Sequence, residues 1–238
     1  MNQLKYYGLP TALALLASVY IMSVLFNFET LEFISRGFIF PLFVVLYFIQ
    51  AKEKNTFFAG FLIFYSLSEI VNVFDSRNLP VYYYFCNVMS VLAYFSLAIY
   101  LLTRMSLSVL LQRFKLFVLV LFICNTYILY VLNNMVLADA AVQIWTPNFY
   151  LEFFYNLSIL VVLSLALLSY LYHDSKEDLL LFLGTLCIVF SEMIHVASLY
   201  ILDTYMLSVL YAILFTAGLG LVYGYITSKM NTYYRILF

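Results

Sequence analysis

The chain has 238 residues, of which 66% are hydrophobic and only 10% charged; a water-soluble domain of that make-up would lack the polar shell that covers a core. Its formal charge is −1 and its few basic residues are scattered, which excludes the clustered basic surface that a nucleic-acid partner requires. The solvent that suits such a chain is lipid.

Apolar runs of membrane-spanning length fall at about residues 8–27, 35–50, 57–75, 81–103, 116–133, 148–172, 178–201 and 205–228. The runs are continuously apolar, without the alternation of barrel strands, so the pattern predicts an all-α membrane protein of eight transmembrane helices joined by short linkers. The first run follows Lys5, reaches Phe26 and has no small-residue cleavage site, so it reads as a span rather than a cleaved signal. The chain is expected to form one polytopic domain, 1–238.

With these spans, Lys5, Lys52, Lys54, Arg104, Arg113, Lys115, Lys176, Lys229 and Arg235 fall on one side, and only Arg36 and Arg77 on the other. The bias of insertion toward basic cytoplasmic loops then places both termini in the cytoplasm. Glu29, Glu32, Asp75, Asp139 and Asp203 lie on the outer side, with Tyr82, Tyr83, Tyr84, Trp145 and Tyr150 as an interfacial aromatic belt. No eukaryotic targeting signal is present, and a bacterial inner membrane is the expected setting.

Two spans carry a glutamate where a charge costs about 2.5 to 3.5 kcal/mol, a cost that usually marks a residue facing the bundle interior. The third span reads Phe64-Tyr65-Ser66-Leu67-Ser68-Glu69-Ile70-Val71-Asn72-Val73, and the seventh reads Cys187-Ile188-Val189-Phe190-Ser191-Glu192-Met193-Ile194-His195-Val196. Both show Ser-Glu, two large apolar residues, a polar side chain and Val, at similar depth and in helices of the same direction. This match predicts a duplicated four-helix unit, with half-repeats at about 1–110 and 111–238. Glu69 with Asn72, and Glu192 with His195, are three residues apart and share a helix face. Two carboxyls meeting in a low dielectric cannot both ionise easily, so one is expected to keep its proton as an acid while the other acts as a base. The alternative is that both glutamates hold helices together by hydrogen bonds.

Glu152, near the outer end of the sixth span, is expected to snorkel to the interface. Asn87, Asn125 and Asn156 are expected to join helices. His173, Asp174, Lys176, Glu177 and Asp178 read as a solvated helix start. Cys86, Cys124 and Cys187 stand singly in apolar runs and read as buried thiols without metal or redox spacing. Two histidines are too few for a zinc hydrolase site of three histidines and an aspartate. Neither a zincin nor a serine-hydrolase motif is present, and no metal or organic cofactor is implied.

The stretches around the two glutamates resemble those of the YhhN or TMEM86-like lysoplasmalogenases, eight-span hydrolases that cleave the vinyl-ether bond of lysoplasmalogens. Phe64-Tyr65-Ser66-Leu67-Ser68-Glu69 is similar to the Phe-Ser-Leu-Leu-Gly-Asp stretch of that family's third span, and Val189-Phe190-Ser191-Glu192 to the Phe-x-x-Ser-Asp of its seventh. Arg36-Gly37, with Pro41 beyond, loosely echoes the Lys-Pro at the start of its second span. Both aspartates of the pattern are glutamates here. The family's His-x-x-Tyr in the fourth span maps onto Val91 and Tyr94, so the histidine is missing, and the glutamine of the last span is absent near Ala217.

The resemblance implies a lipid hydrolase without a metal, acting on a lysophospholipid in the membrane. Glu69 and Glu192 would be the acid and base, with His195, Asn72, Ser68, Ser191 and Tyr94 in support. Protonation of the alkene carbon would give an oxocarbenium ion, which water captures to a hemiacetal that collapses to aldehyde and alcohol. Two other readings stand beside it: a proton-coupled small-solute transporter, and a catalytically silent sensor or scaffold on the same fold.

Overall fold

In the computed structural model the described residues are 2–51, 54–74, 80–139, 142–201 and 204–237, with only the backbone described for 2–7 and 229–237. Lys52, Asp75, Arg77 and Asp203, which enter the charge count, lie outside the described residues, as do the side chains of Lys5, Lys229 and Arg235.

Among the described residues there are nine helices and no strands: α1 (Asn2–Leu25), α2 (Glu29–Gln50), α3 (Thr56–Phe74), α4 (Pro80–Thr103), α5 (Leu107–Arg113), α6 (Lys115–Val136), α7 (Pro147–His173), α8 (Lys176–Tyr200) and α9 (Tyr205–Leu237). All but α5 are long and apolar enough to cross a membrane, which makes eight spans and an integral membrane protein. Large apolar side chains such as Phe95, Phe122 and Phe190 are exposed, whereas Glu69, Glu152, Asn156, Asp178 and Glu192 are buried. That inversion suits a lipid solvent, in which the apolar face points outward.

The expected spans match the helices to within a few residues except at three ends: α1 and α2 each begin six residues before the expected start, at Asn2 and Glu29, and α9 runs nine residues beyond its expected end, to Leu237. In α2 the added residues include two glutamates. Glu29 and Glu32 occupy its first turn, where acidic groups complement the helix dipole. Arg36, counted at the outer end of the second span, therefore lies two turns inside the helix and does not count toward orientation. Helix α5 was outside the expected spans because seven residues cannot cross a bilayer.

The chain forms two compact units, Met1–Ser96 with Ile226–Phe238, and Leu97–Tyr225. In the first, α1, α2 and α3 pack in chain order. The α2–α3 turn is closed by Asn55, whose Oδ1 accepts from the backbone N–H groups of Phe57 and Phe58, and whose own N–H donates to the Tyr47 hydroxyl. The core is aromatic. Phe40 stacks on Tyr65 with ring centroids 4.1 Å apart, and Tyr65 meets Tyr94 edge-on at 5.8 Å. Gly37 lets α2 lie on α3: a Cβ there would strike the Val73 side chain and come within 3.3 Å of the Glu69 carbonyl oxygen.

In the second unit α6, α7 and α8 pack on one another. Thr146 caps α7 by accepting from the Phe149 N–H, with Pro147 at the first helical position. Ser175 caps α8 by accepting from the Asp178 N–H at 3.0 Å, and its hydroxyl donates to the Asp178 carboxylate at 2.7 Å. Asp174 makes the turn between α7 and α8 in the left-handed region, at φ 47°. A close approach of α8 and α9 depends on Gly184 and Gly218, where a Cβ on either would sit 3.0 Å from the carbonyl oxygen of the other.

Candidate functional site

Each of the two Ser-Glu stretches lies in its own unit, and each glutamate is buried against a side chain of the preceding helix. In the first unit Arg36 reaches from α2 to Glu69 on α3. Its Nη2 donates to Oε1 at 3.1 Å, while Nε stands 3.0 Å from Oε2 in an ion-pair contact that is not a hydrogen bond. The pair exists because Gly37, next to Arg36, removes the bulk that would hold α2 away. Glu69 is only 5% exposed, so it is the carboxylate of a buried ion pair.

In the second unit the Tyr155 hydroxyl on α7 donates to Glu192 Oε2 on α8 at 2.6 Å, and Glu192 is 2% exposed. The register is set at the other end of the same hairpin, where the Ser169 hydroxyl donates to Asp178 at 3.2 Å. Tyr155 and Glu192 lie fourteen residues along from Ser169 and Asp178 on their respective helices, which is two heptads and returns both to the packing seam. The first glutamate thus has a cationic partner, and the second accepts from a neutral hydroxyl.

Glu152 is buried. It lies three residues before Tyr155, so both occupy one face of α7, and that face turns into the bundle. The expected snorkelling to the interface does not occur. His195 is half-buried, with its ring centroid 5.2 Å from that of Tyr211.

The supporting residues divide. Ser68 holds α3 to α4, donating to the Cys86 carbonyl at 3.0 Å and sharing a 3.0 Å hydrogen bond with Ser90. Ser191 donates to the Ile188 carbonyl within its own helix. Tyr94 belongs to the aromatic core of the first unit. Asn72 is half-buried and makes no hydrogen bond to Glu69 among the described residues.

Three other expectations are corrected. Asp178 is not solvated: it is 2% exposed, and Arg104 grips it through Nη1–Oδ1 at 2.6 Å and Nη2–Oδ2 at 3.2 Å. Burial works against the Arg104 charge, but the neighbouring Tyr225 and Tyr100 oxygens and Asp178 hold its pKa above the ordinary value. Tyr100 and Tyr225 are hydrogen-bonded to each other beside it. Cys124 is an exposed thiol rather than a buried one, and Cys86 and Cys187 are half-buried. Asn125 does join helices, donating to the Ser164 hydroxyl at 2.7 Å, but Asn87 donates within its own helix, and Asn156 makes no side-chain hydrogen bond.

Sequence reasoning therefore missed Arg36, Tyr155 and Asp178, and undervalued Glu152. The spacing of Ser-x-x-Asp at the start of α8 was a usable capping signal, whereas nothing local marks Tyr155. Among the described residues no three His, Cys, Asp or Glu side chains are placed to share a metal ion. The chain matches no known family model, no curated protein and no solved structure.

Proposed function

We propose that this protein is an integral membrane hydrolase of lysophospholipid-type lipids, acting on the vinyl-ether bond by acid–base chemistry from the second unit. The observation that carries the reading is the buried Glu192 carboxyl, which accepts a 2.6 Å hydrogen bond from the Tyr155 phenol, on the same hairpin as a second buried carboxyl, Glu152. Two carboxyls in an apolar bundle suit the split into proton donor and cation stabiliser. The setting is a bacterial inner membrane with both termini cytoplasmic.

In this reading Glu192 gives its proton to the alkene carbon remote from the ether oxygen and becomes a carboxylate, and the electron pair of the alkene forms the new C–H bond. The oxocarbenium ion is stabilised by Glu152. Water adds to the cationic carbon, its proton returns to a carboxylate, and the hemiacetal breaks to aldehyde and lysophospholipid-derived alcohol. Tyr155 positions the acid. Glu69, assigned as one of the pair by sequence, becomes with Arg36 a structural ion pair of the first unit.

The test is aldehyde release from an alkenyl lysophospholipid by purified protein in detergent, beside Glu192→Gln and Glu152→Gln variants that melt like the parent. Activity in the parent and at least a hundredfold loss in both variants is expected, the scale of a missing general acid or base. A well-folded parent that releases no aldehyde sinks the reading. It would leave proton-coupled transport, which an uncoupler abolishes, or a scaffold that tolerates loss of either glutamate.

A further inference from the structure

Asn156 is the most deeply buried polar side chain of α7, with 0% exposure, and neither its amide nitrogen nor its amide oxygen has a hydrogen-bond partner. An amide buried in this state is costly, because both its donors and its acceptor have been stripped of water without replacement. Such a group in a native core calls for a partner that completes it. Its position is specific. Asn156 follows Tyr155, and it lies four residues after Glu152, so all three share one face of α7, the face from which Tyr155 reaches Glu192.

We infer that Asn156, with Glu152 beside it, forms a binding site for a neutral hydroxyl group inside the second unit. The chemistry follows from what the amide lacks. A cation could satisfy only Oδ1 and would leave the NH2 group bare. An anion could satisfy only the NH2 group and would face Glu152 and Glu192. A hydroxyl accepts from Nδ2 and donates to Oδ1 or to a carboxyl, and so serves the donor and the acceptor together. Water supplies this chemistry, and so does the glycerol part of a single-chain lipid. The site stands on the orphaned amide, while the choice of a glycerol amphiphile as occupant rests on the hydrolase reading. In that reading Asn156 sorts substrates by a hydroxyl, since a site built to hydrogen-bond an OH group rejects the analogue that lacks it.

The experiment is a thermal shift of the purified protein in an amine-oxide detergent, which carries no hydroxyl to compete. Its probes are a 1-alkylglycerol and the counterpart with both hydroxyls methylated. The expected result is that the alkylglycerol raises the melting temperature of the parent, the methylated counterpart acts roughly tenfold more weakly, as one or two lost hydrogen bonds imply, and Asn156→Leu abolishes the difference. If neither probe acts but Asn156→Leu melts below the parent, the hydroxyl is that of a bound water. The site is overturned if Asn156→Leu melts above the parent and the two probes act alike on the parent. Should Asn156→Leu fail to fold, the parent's preference between the probes decides alone. Glu192→Gln keeps the Asn156-dependent shift even where it abolishes aldehyde release, so loss of the hydrolase reading and loss of this site are seen separately.

Discussion

Glu69 and Glu192 follow the same residue and precede nearly the same pattern, yet one faces a guanidinium and the other a phenol. In each unit the partner comes from the preceding helix: Arg36 is the eighth residue of α2, and Tyr155 the ninth of α7. The two hairpins build one device with opposite electrical consequences. A guanidinium gives its carboxylate an ion-pair partner and a structural task, whereas the phenol offers its carboxyl a neutral hydrogen-bond donor. A buried carboxylate is therefore not a functional signal by itself; its partner decides.

The sharpest way to break the comparison is to remove each partner in turn. Arg36→Met strands a buried carboxylate and is expected to cost about 3 kcal/mol or more, the scale for breaking a buried ion pair, read as a large fall in melting temperature. Arg36→Met combined with Glu69→Leu should recover much of it. Equal stability of Arg36→Met and the parent would remove the structural assignment of Glu69.

An intermediate effect tests the packing that sets up the second hairpin's neighbour. Gly184→Leu must force its side chain against the Gly218 carbonyl oxygen and the Val222 side chain, and a loss of about 1 to 3 kcal/mol is expected from overpacking. The matching change at Gly220, where nothing lies within reach of an added Cβ, should leave the melting temperature nearly unchanged, and a similar loss at both positions would refute the close α8–α9 approach.

The smallest stability effect, about 1 kcal/mol, is expected for Tyr155→Phe, which removes one hydrogen bond and keeps the ring. If the protein is the proposed hydrolase, its aldehyde release should nevertheless fall, because the carboxyl that Tyr155 positions has lost its donor. An unchanged rate would reduce Tyr155 to a packing residue.

Much of the fold could be read directly. Continuous apolar runs predict the spans because lipid leaves a backbone no alternative to internal hydrogen bonding, and the helix starts at Ser175 and Thr146 carry capping chemistry in their own residues. The reading went astray where hydropathy treats a charge as a boundary. Arg36 counted as the outer end of the second span, although in the protein it lies two turns inside α2 and its charge is met by Glu69. Asp178 was assigned to solvent for the same reason, although Arg104, distant in sequence, grips it.

By itself, the sequence determined the solvent, the number and approximate limits of the spans, and the presence of buried glutamates in the third and seventh. Those properties follow from composition and periodicity, which act over one helix at a time. Tertiary structure alone decided which carboxyl is ion-paired and which is held by a hydroxyl, that Glu152 turns inward, and that Asn156 is left without a partner. These outcomes depend on which helix faces which, on a glycine that permits contact, and on a register set two heptads away, and no single span records them.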